Sequence, residues 1–263
     1  MVLLVSRKRL LIAGGVVAAV LVVAVVVSWP WIRIYTGAAP PDQFYRPVSA
    51  PARIPASQVL GVAHNAGNNV GTTAAALRYG ADVIEIDVIS ARGRLVAGRA
   101  HGWPWLAGLV FQGPTLASAW QHAAAAKIII KLDLQQTGRG LLDSLVRFLD
   151  ERRGHSVMIS TRDAAAIEYL RPRLPAGITL LFSVAFPQAV AQIQSDRALT
   201  DAVGGISVFQ GLVDSNLVRW AHQRNLLVLA WTVNDAAQLS QQLELGVDGI
   251  TTANLAILQA LSG

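Results

Sequence analysis

The feature that most constrains the fold is the alternation of short apolar runs with helix-forming stretches from residue 59 to the C-terminus. Eight of the runs have strand length and are rich in β-branched residues, and each is followed by a stretch of helix length. Eight such units over roughly 200 residues predict a parallel sheet closed on itself, so the fold class is α/β, a (β/α)8 TIM barrel over residues 58–263. An open doubly wound sheet is the alternative, but no Gly-x-Gly-x-x-Gly loop follows the first run. The predicted strands are 59–64, 83–89, 128–134, 157–160, 179–183, 205–209, 226–232 and 249–252.

A second apolar feature lies near the N-terminus, where the uncharged residues 10–32 follow a basic segment, residues 1–9. As a helix of ~1.5 Å rise per residue this run would span about 35 Å, which is enough to cross a bilayer core. Basic residues on its leading side predict a cytoplasmic N-terminus, a single-pass anchor in the cell membrane and an extracytoplasmic domain. The alternative is a cleavable signal peptide, but the run ends in Ser-Trp-Pro-Trp-Ile instead of a small-x-small cleavage site. Residues 33–57 contain five prolines, which predict an extended tether.

Composition excludes some classes of function. Three of the 22 basic residues lie in residues 1–9, so the rest of the chain carries 19 against 16 acidic residues. No basic stripe with interleaved aromatic residues accompanies this small excess, so nucleic-acid binding is not predicted. The chain has no cysteine, which excludes disulfides and cysteine-ligated metals.

Three carboxylates fall where a barrel of this class places its reactive groups, late in the strands. Glu85 and Asp87 share one face of the second strand, and Asp133 lies near the end of the third. Neighbouring inward carboxylates need a cation or a shared proton, and oxygen ligands suit Mg2+ or Ca2+. We therefore predict that Glu85, Asp87 and Asp133 bind a divalent cation. Carboxylates bridged to arginines are the alternative.

Two histidines lie beside the same predicted barrel mouth. His64 ends the first strand, and His101 follows the second strand and its extension. Two imidazoles at one site can act as base and acid in phosphodiester cleavage, so His64 and His101 are the candidate catalytic pair. A histidine taken alone at such a position is more often a structural residue.

Further polar and aromatic residues lie near these groups. Lys131 and Gln135 share a strand face with Asp133, and Lys131 could either neutralise the carboxylates or reach a substrate phosphate. Trp231 ends the seventh strand and could pack there, wall the pocket or contact a choline-like cation. Asn234 follows in the sequence Trp-Thr-Val-Asn.

The order of these motifs resembles the glycerophosphodiester phosphodiesterase superfamily over residues 59–261. The motifs are His64, Glu85-x-Asp87, His101-Gly, Asp133, Trp231-Thr-Val-Asn and the closing Gly246-Val-Asp-Gly-Ile-Thr-Thr. The resemblance implies a TIM-type barrel with a divalent cation, usually Mg2+ or Ca2+. It also implies His64 and His101 as the catalytic pair and the three acids as metal ligands.

The chain departs from that superfamily at positions that contact phosphate. Asn65 stands where the family pattern has arginine, and Gln135 stands where it has lysine. These changes are similar to the sphingomyelinase D/phospholipase D branch, although a disulfide-closed loop cannot form without cysteine. The candidate substrate-binding residues are Asn65, Lys131, Gln135, Trp231 and Asn234.

The sequence thus predicts a membrane-anchored, metal-dependent phosphodiesterase acting on glycerophosphodiesters or on (lyso)phospholipid head groups. One alternative is a catalytically degenerate barrel that serves as an extracytoplasmic binding module. The other is a metal-free lyase of the phosphoinositide type, whose activity would resist EDTA.

Overall fold

A computed structural model describes residues 43–48, 59–98, 113–126 and 128–262 of the 263-residue chain. All of them belong to one compact unit, Pro40–Gly263. The predicted anchor, most of the predicted tether and His101 lie outside the described residues. Within the described ranges, no helix is long and apolar enough to span a bilayer.

In the described ranges nine strands form one sheet, and eight of them are parallel and close into a ring. Each parallel strand pairs with its neighbours in chain order, and β1 pairs with both β2 and β9. This closure confirms the predicted (β/α)8 barrel and excludes the open sheet. The strands are β1 (Leu60–Ala63), β2 (Val83–Ala91), β3 (Arg94–Ala97), β4 (Ile129–Leu134), β5 (Val157–Thr161), β6 (Ile178–Val184), β7 (Gly205–Phe209), β8 (Leu227–Trp231) and β9 (Gly249–Thr252).

Strand β3 is an addition that the periodicity did not predict. It runs antiparallel to the end of β2, and Ala91 pairs with Arg94. The two residues between them, Arg92 and Gly93, have positive φ values of 51° and 70°. Two positive φ angles match the twist of a tight hairpin, so β2 continues past the barrel mouth and folds back on itself.

The described helices follow the predicted order, with one extra helix between β6 and β7. That helix, α6, starts where the Asp196 side chain accepts a hydrogen bond from the amide of Leu199. The helices are α1 (Val70–Arg78), α2 (Leu116–Ala124), α3 (Arg139–Asp150), α4 (Ala164–Leu170), α5 (Pro187–Ser195), α6 (Arg197–Ala202), α7 (Ser215–His222), α8 (Ala236–Leu245) and α9 (Leu255–Ser262). Two 3-10 turns, Ala66–Asn68 and Gln210–Leu212, follow β1 and β7.

Strand alternation separates two apolar regions. Residues such as Ile84, Ile86 and Ile159 belong to the large core between the sheet and the helices. A smaller cluster of Met158, Leu181 and Leu229 comes from the opposite faces of β5, β6 and β8. Because successive side chains of a strand face opposite sides, this second cluster fills the barrel interior.

Part of the predicted tether is attached to the barrel. The Phe44 amide donates to the Ala253 carbonyl at 3.0 Å, and the Leu255 amide donates to the Phe44 carbonyl at 2.8 Å. The Asn254 side chain bonds both the amide and the carbonyl of Arg46 at 2.9 Å. Residues 43–48 therefore lie along the chain that links β9 to α9.

Closure of the barrel requires a glycine at the start of β7. A Cβ atom on Gly205 would lie 2.7 Å from the Leu227 carbonyl oxygen and 3.0 Å from the Leu181 side chain. We expect Gly205→Ala to lower the free energy of unfolding by ~1–3 kcal/mol, as overpacking does in other cores. The exposed helical Gly140 has open space around it, so Gly140→Ala should leave stability equal or slightly higher. Urea unfolding of both variants checks this, and equal midpoints for the two would contradict it.

Candidate active site

The predicted acids lie on two neighbouring strands in matching positions. In the register of β2 and β4, Glu85 pairs with Lys131, and Asp87 pairs with Asp133. Glu85, Asp87 and Lys131 are all buried. Because both strands are parallel and alternate in the same phase, the four side chains form two layers inside the barrel. The Asp87–Asp133 layer lies nearer the C-terminal mouth.

The lower layer is an ion pair. The Lys131 Nζ atom lies 3.0 Å from the Glu85 Oε1 atom and 3.5 Å from the Ser207 hydroxyl. Desolvation by burial lowers the pKa of Lys131, but attraction to Glu85, Asp133 and Asp87 and the hydrogen bond to Glu85 together raise it above its ordinary value. Lys131 is therefore a counter-charge for the buried acids, and its predicted contact with substrate stays a prediction.

The upper layer is joined by amide groups. The Gln135 Nε2 atom donates to the Asp87 Oδ1 atom at 2.8 Å and to the Asp133 Oδ2 atom at 2.5 Å. Asn68 donates to the other oxygen of Asp87 at 2.7 Å, and the Ser160 hydroxyl donates to Asp133 at 2.5 Å. One amide nitrogen thus bridges the two carboxylates.

The side chains of the two layers can be compared with the ligands that a divalent cation needs. In the described part of the chain, no three histidine, aspartate or glutamate side chains are grouped closely enough to hold a metal ion. The carboxyl groups of Glu85, Asp133 and Asp87 nevertheless all attract the Lys131 ammonium, and carboxylate oxygens are ligands that Mg2+ and Ca2+ prefer. Asp87 and Asp133 therefore fit a cation in charge and ligand type. Gln135 would have to turn its amide, because Nε2 now lies between the two acids.

The first predicted histidine follows β1 at the same mouth. His64 is half-buried, and its amide donates to the Thr252 carbonyl at 2.8 Å. Asn65 is buried and adopts a left-handed φ of 56°, which starts the turn Ala66–Asn68. That turn places Asn68 against Asp87, where the Asp87 amide also donates to the Asn68 Oδ1 atom at 2.9 Å. The predicted role of Asn65 as a substrate contact stays a prediction.

Asn68 and Ser160 form hydrogen bonds to the two aspartates that the sequence motifs did not indicate. Ser160 pairs in register with Asp133 across β4 and β5, so the strand positions alone contained that signal. Asn68 lies four residues after His64, in an asparagine-rich turn behind the first strand. Asparagines in such turns often hold a nearby group through their amide, but the sequence does not show which group.

The remaining predicted residues lie at the ends of β8 and β9. Trp231 packs edge-on against Phe209 with 5.7 Å between ring centroids, and the Arg162 guanidinium carbon lies 5.8 Å from the Trp231 ring. The Asn234 Oδ1 atom accepts hydrogen bonds from the Ala253 amide at 2.9 Å and the Thr252 hydroxyl at 3.2 Å. Trp231 therefore borders the mouth, whereas Asn234 fixes the loop after β8 to the end of β9.

A pocket of about 250 Å³ opens beside the upper acid layer. It lies where β4 and β5 end. Its lining residues are Asp133, Leu134, Gln135, Gln136, Thr137, Thr161, Arg162 and Asp163. A volume of this size, open to solvent and mostly polar in its lining side chains, suits a small charged ligand.

Solved structures define the class of barrel to which this fold is similar. A phosphodiesterase from Oleispira antarctica, solved with the product sn-glycerol-3-phosphate, has a TM-score of 0.64 at 18% identity, with 77% of this chain and 96% of that chain covered. A glycerophosphodiester phosphodiesterase from Parabacteroides distasonis has a TM-score of 0.60 at 18% identity, with 77% and 96% covered. At this identity the likeness concerns the fold.

The sequence itself defines the family. Residues 119–256, more than half of the chain, match the glycerophosphoryl diester phosphodiesterase family. The chain belongs to this family of phosphoric diester hydrolases, whose enzymes generally depend on a divalent cation. The matched range contains Asp133, Ser160, Arg162 and Trp231, and His64 lies before it.

A curated relative adds a short local similarity. A glycerophosphodiester phosphodiesterase of Arabidopsis thaliana is 41% identical over 56 residues, which is 21% of this chain. The matched segment spans 17% of that protein's length.

The ion pair in the lower layer allows a stability test. Lys131→Met removes the ammonium that compensates Glu85, and removal of one partner of a buried pair typically costs ~3–5 kcal/mol. The double variant Glu85→Gln/Lys131→Met should regain most of that loss, because both members of the ion pair are then uncharged. Urea unfolding checks both variants. A Lys131→Met protein as stable as the parent would contradict the assignment.

The same ion pair has a defined pH dependence. Because folding raises the pKa of Lys131, its stabilisation is fully present below the ordinary lysine pKa and is lost as the pH rises through the folded value. The parent should therefore lose stability in alkali more steeply than the double variant. Parallel unfolding curves across the alkaline range would contradict this.

Proposed function

We propose that this protein is a membrane-anchored, metal-dependent phosphodiesterase that cleaves glycerophosphodiesters or (lyso)phospholipid head groups. The observation that carries the proposal is the pairing of Asp87 with Asp133 at the C-terminal mouth of the barrel. This is the end at which TIM barrels carry their active sites. Family membership supports the reaction class.

The reaction breaks the P–O bond to the head-group alcohol. A water molecule or a neighbouring substrate hydroxyl attacks phosphorus, and a proton must leave this nucleophile while another reaches the departing alkoxide. In the proposal His64 takes the first proton and His101 supplies the second. Attack by a substrate hydroxyl would give a cyclic phosphate, and attack by water would give a monoester.

Asp87 and Asp133 are the residues proposed to hold the cation, with Glu85 as the predicted third acid. Mg2+ or Ca2+ suits oxygen ligands of this kind, and such a cation stabilises the charge that develops on the phosphoryl oxygens. Asn68 and Ser160 hold the two aspartates in place through the hydrogen bonds described above. Preset ligand orientation of this kind strengthens metal binding.

Residues 10–32 are proposed to anchor the barrel at the outer face of the cell membrane. The uncharged run is long enough to span a bilayer, and the basic segment before it favours a cytoplasmic N-terminus. An enzyme held in this way would meet diesters released from phospholipids, as well as lysophospholipids in the bilayer. In addition to the substrate, the membrane is therefore a proposed binding partner of this protein.

One observation favours a second candidate function, a catalytically degenerate barrel that binds ligands outside the cytoplasm. The Gln135 amide already joins Asp87 to Asp133, the two acids that would hold the cation. A protein that keeps this arrangement would bind a ligand at the mouth without a metal.

Phosphorus NMR of the purified protein with Mg2+ and a panel of glycerophosphodiesters tests the activity. We expect a monoester or cyclic phosphate signal to appear, and Asp87→Asn to reduce its rate by ~100-fold or more because a metal ligand is lost. The exposed acid Asp201 is the matched control, so Asp201→Asn should keep the parent rate. No new phosphorus signal from any diester would remove the enzyme proposal and leave the binding module.

Metal removal tests the cation. EDTA should abolish turnover, and Mg2+ or Ca2+ in excess should restore it. Added Mg2+ should also raise the melting temperature of the parent but not of Asp87→Asn, because ligand binding stabilises only a protein that has the site. Full activity in EDTA would instead favour a metal-free lyase.

A further inference from the structure

The proposed substrate brings a negatively charged phosphate to a mouth whose described side chains are rich in carboxylates. Lys131 is buried below this mouth and is bound to Glu85. Of the described residues that line the mouth pocket, Arg162 alone carries a positive charge. The lining of the pocket therefore contains one described cationic side chain that can bind a phosphate oxygen, in a place that no family motif identified.

The position of Arg162 is set by an aromatic pair. Arg162 follows β5, whereas Trp231 ends β8, and two strands lie between them in the ring. The guanidinium carbon lies 5.8 Å from the Trp231 ring centroid, which is within range of a cation–π contact. Phe209 packs on the same indole at 5.7 Å. The arginine is thus directed over the barrel mouth.

The nearest acid in sequence does not neutralise Arg162. One carboxylate oxygen of Asp163 accepts hydrogen bonds from the amides of Ala165 and Ala166, and the other accepts from the Thr137 hydroxyl at 2.6 Å. Asp163 is therefore used as the N-cap of α4. Within the described part of the chain, Arg162 forms no ion pair, and its side chain is exposed. Its hydrogen-bond donors are available to a ligand.

We propose that Arg162, held over Trp231, binds the phosphate of the substrate and thereby selects head groups without a positive charge. The indole face that could attract a choline-like cation is taken by the guanidinium, and a second cation would be repelled there. Diesters with neutral alcohol head groups, such as glycerol, then bind better than choline diesters. This inference rests on the proposed function for its substrate class.

The test combines ligand affinity with turnover, using the full chain with Mg2+. Glycerol 3-phosphate binding is measured by calorimetry for the parent, Arg162→Gln, Arg162→Lys and Arg171→Gln. Arg171 is the matched control, because it is an exposed arginine at the C-terminal end of α4, away from the end that Arg162 precedes. Steady-state rates are measured with glycerophosphoglycerol and glycerophosphocholine.

Loss of a charged contact to phosphate predicts about tenfold weaker glycerol 3-phosphate binding in Arg162→Gln. We expect a similar rise in KM with kcat changed much less, partial recovery in Arg162→Lys, and parent behaviour in Arg171→Gln. The ratio of kcat/KM for the choline diester to that for the glycerol diester should rise several-fold in Arg162→Gln. A merely structural arginine would not change this ratio.

The role of Arg162 and the proposed enzyme activity are contradicted by different results. If the parent and Arg162→Gln turn over diesters with the same KM, the same glycerol 3-phosphate affinity and the same head-group ratio, the role of Arg162 is overturned. The proposed enzyme activity would then still stand. Glycerol 3-phosphate binding that depends on Arg162, without turnover of any diester, would support Arg162 as the phosphate contact and remove the enzyme activity. No binding of glycerol 3-phosphate by the parent would overturn the role of Arg162.

Discussion

The ion pair between Lys131 and Glu85 allows acidic side chains to lie inside the barrel. An apolar layer of Met158, Leu181 and Leu229 fills one level, and carboxyl groups next to such a layer are strongly disfavoured unless a cation compensates them. Lys131 supplies that charge at 3.0 Å from Glu85 and attracts the two aspartates above it. Buried ion pairs of this kind are often no more stable than apolar residues of equal volume, so stability alone does not account for it. We infer that the positive charge of Lys131 keeps the acidic side chains in place at the barrel mouth.

The barrel and its acid face could be predicted because strand periodicity is strict. A residue that shifts by one position changes face, so Glu85 and Asp87 had to share a side, and Asp133 had to lie beside Asp87 once β2 and β4 paired. The hairpin of β3 was less predictable, because Arg92 is an unusual residue for a turn with positive φ. Residues 1–42 and His101 lie outside the described ranges, so the anchor and the second histidine stay predictions.

The orientation of individual side chains could not be predicted from the sequence. The substrate contact of Gln135 stays a prediction, and the sequence did not indicate that its amide bridges Asp87 and Asp133. The neighbours Arg162 and Asp163 could have formed an ion pair, yet Asp163 caps α4 while Arg162 lies over an indole three strands away. Such choices depend on competition between hydrogen bonds within one turn and contacts between distant strands. Arg162, directly after β5, then becomes the proposed phosphate contact in a chain with Asn65 and Gln135 at the positions where the family pattern has cations.

The proposed mechanism requires that Asp87 and Asp133 share a divalent cation at the barrel mouth. Anomalous diffraction from crystals of the protein soaked with Mn2+ tests it most directly, because Mn2+ binds oxygen ligands much as Mg2+ does and can be located by its scattering. We expect one strong anomalous peak between the two carboxylates, with the Gln135 amide turned away from its present position. An unchanged Gln135 bridge with no peak between Asp87 and Asp133 would contradict it.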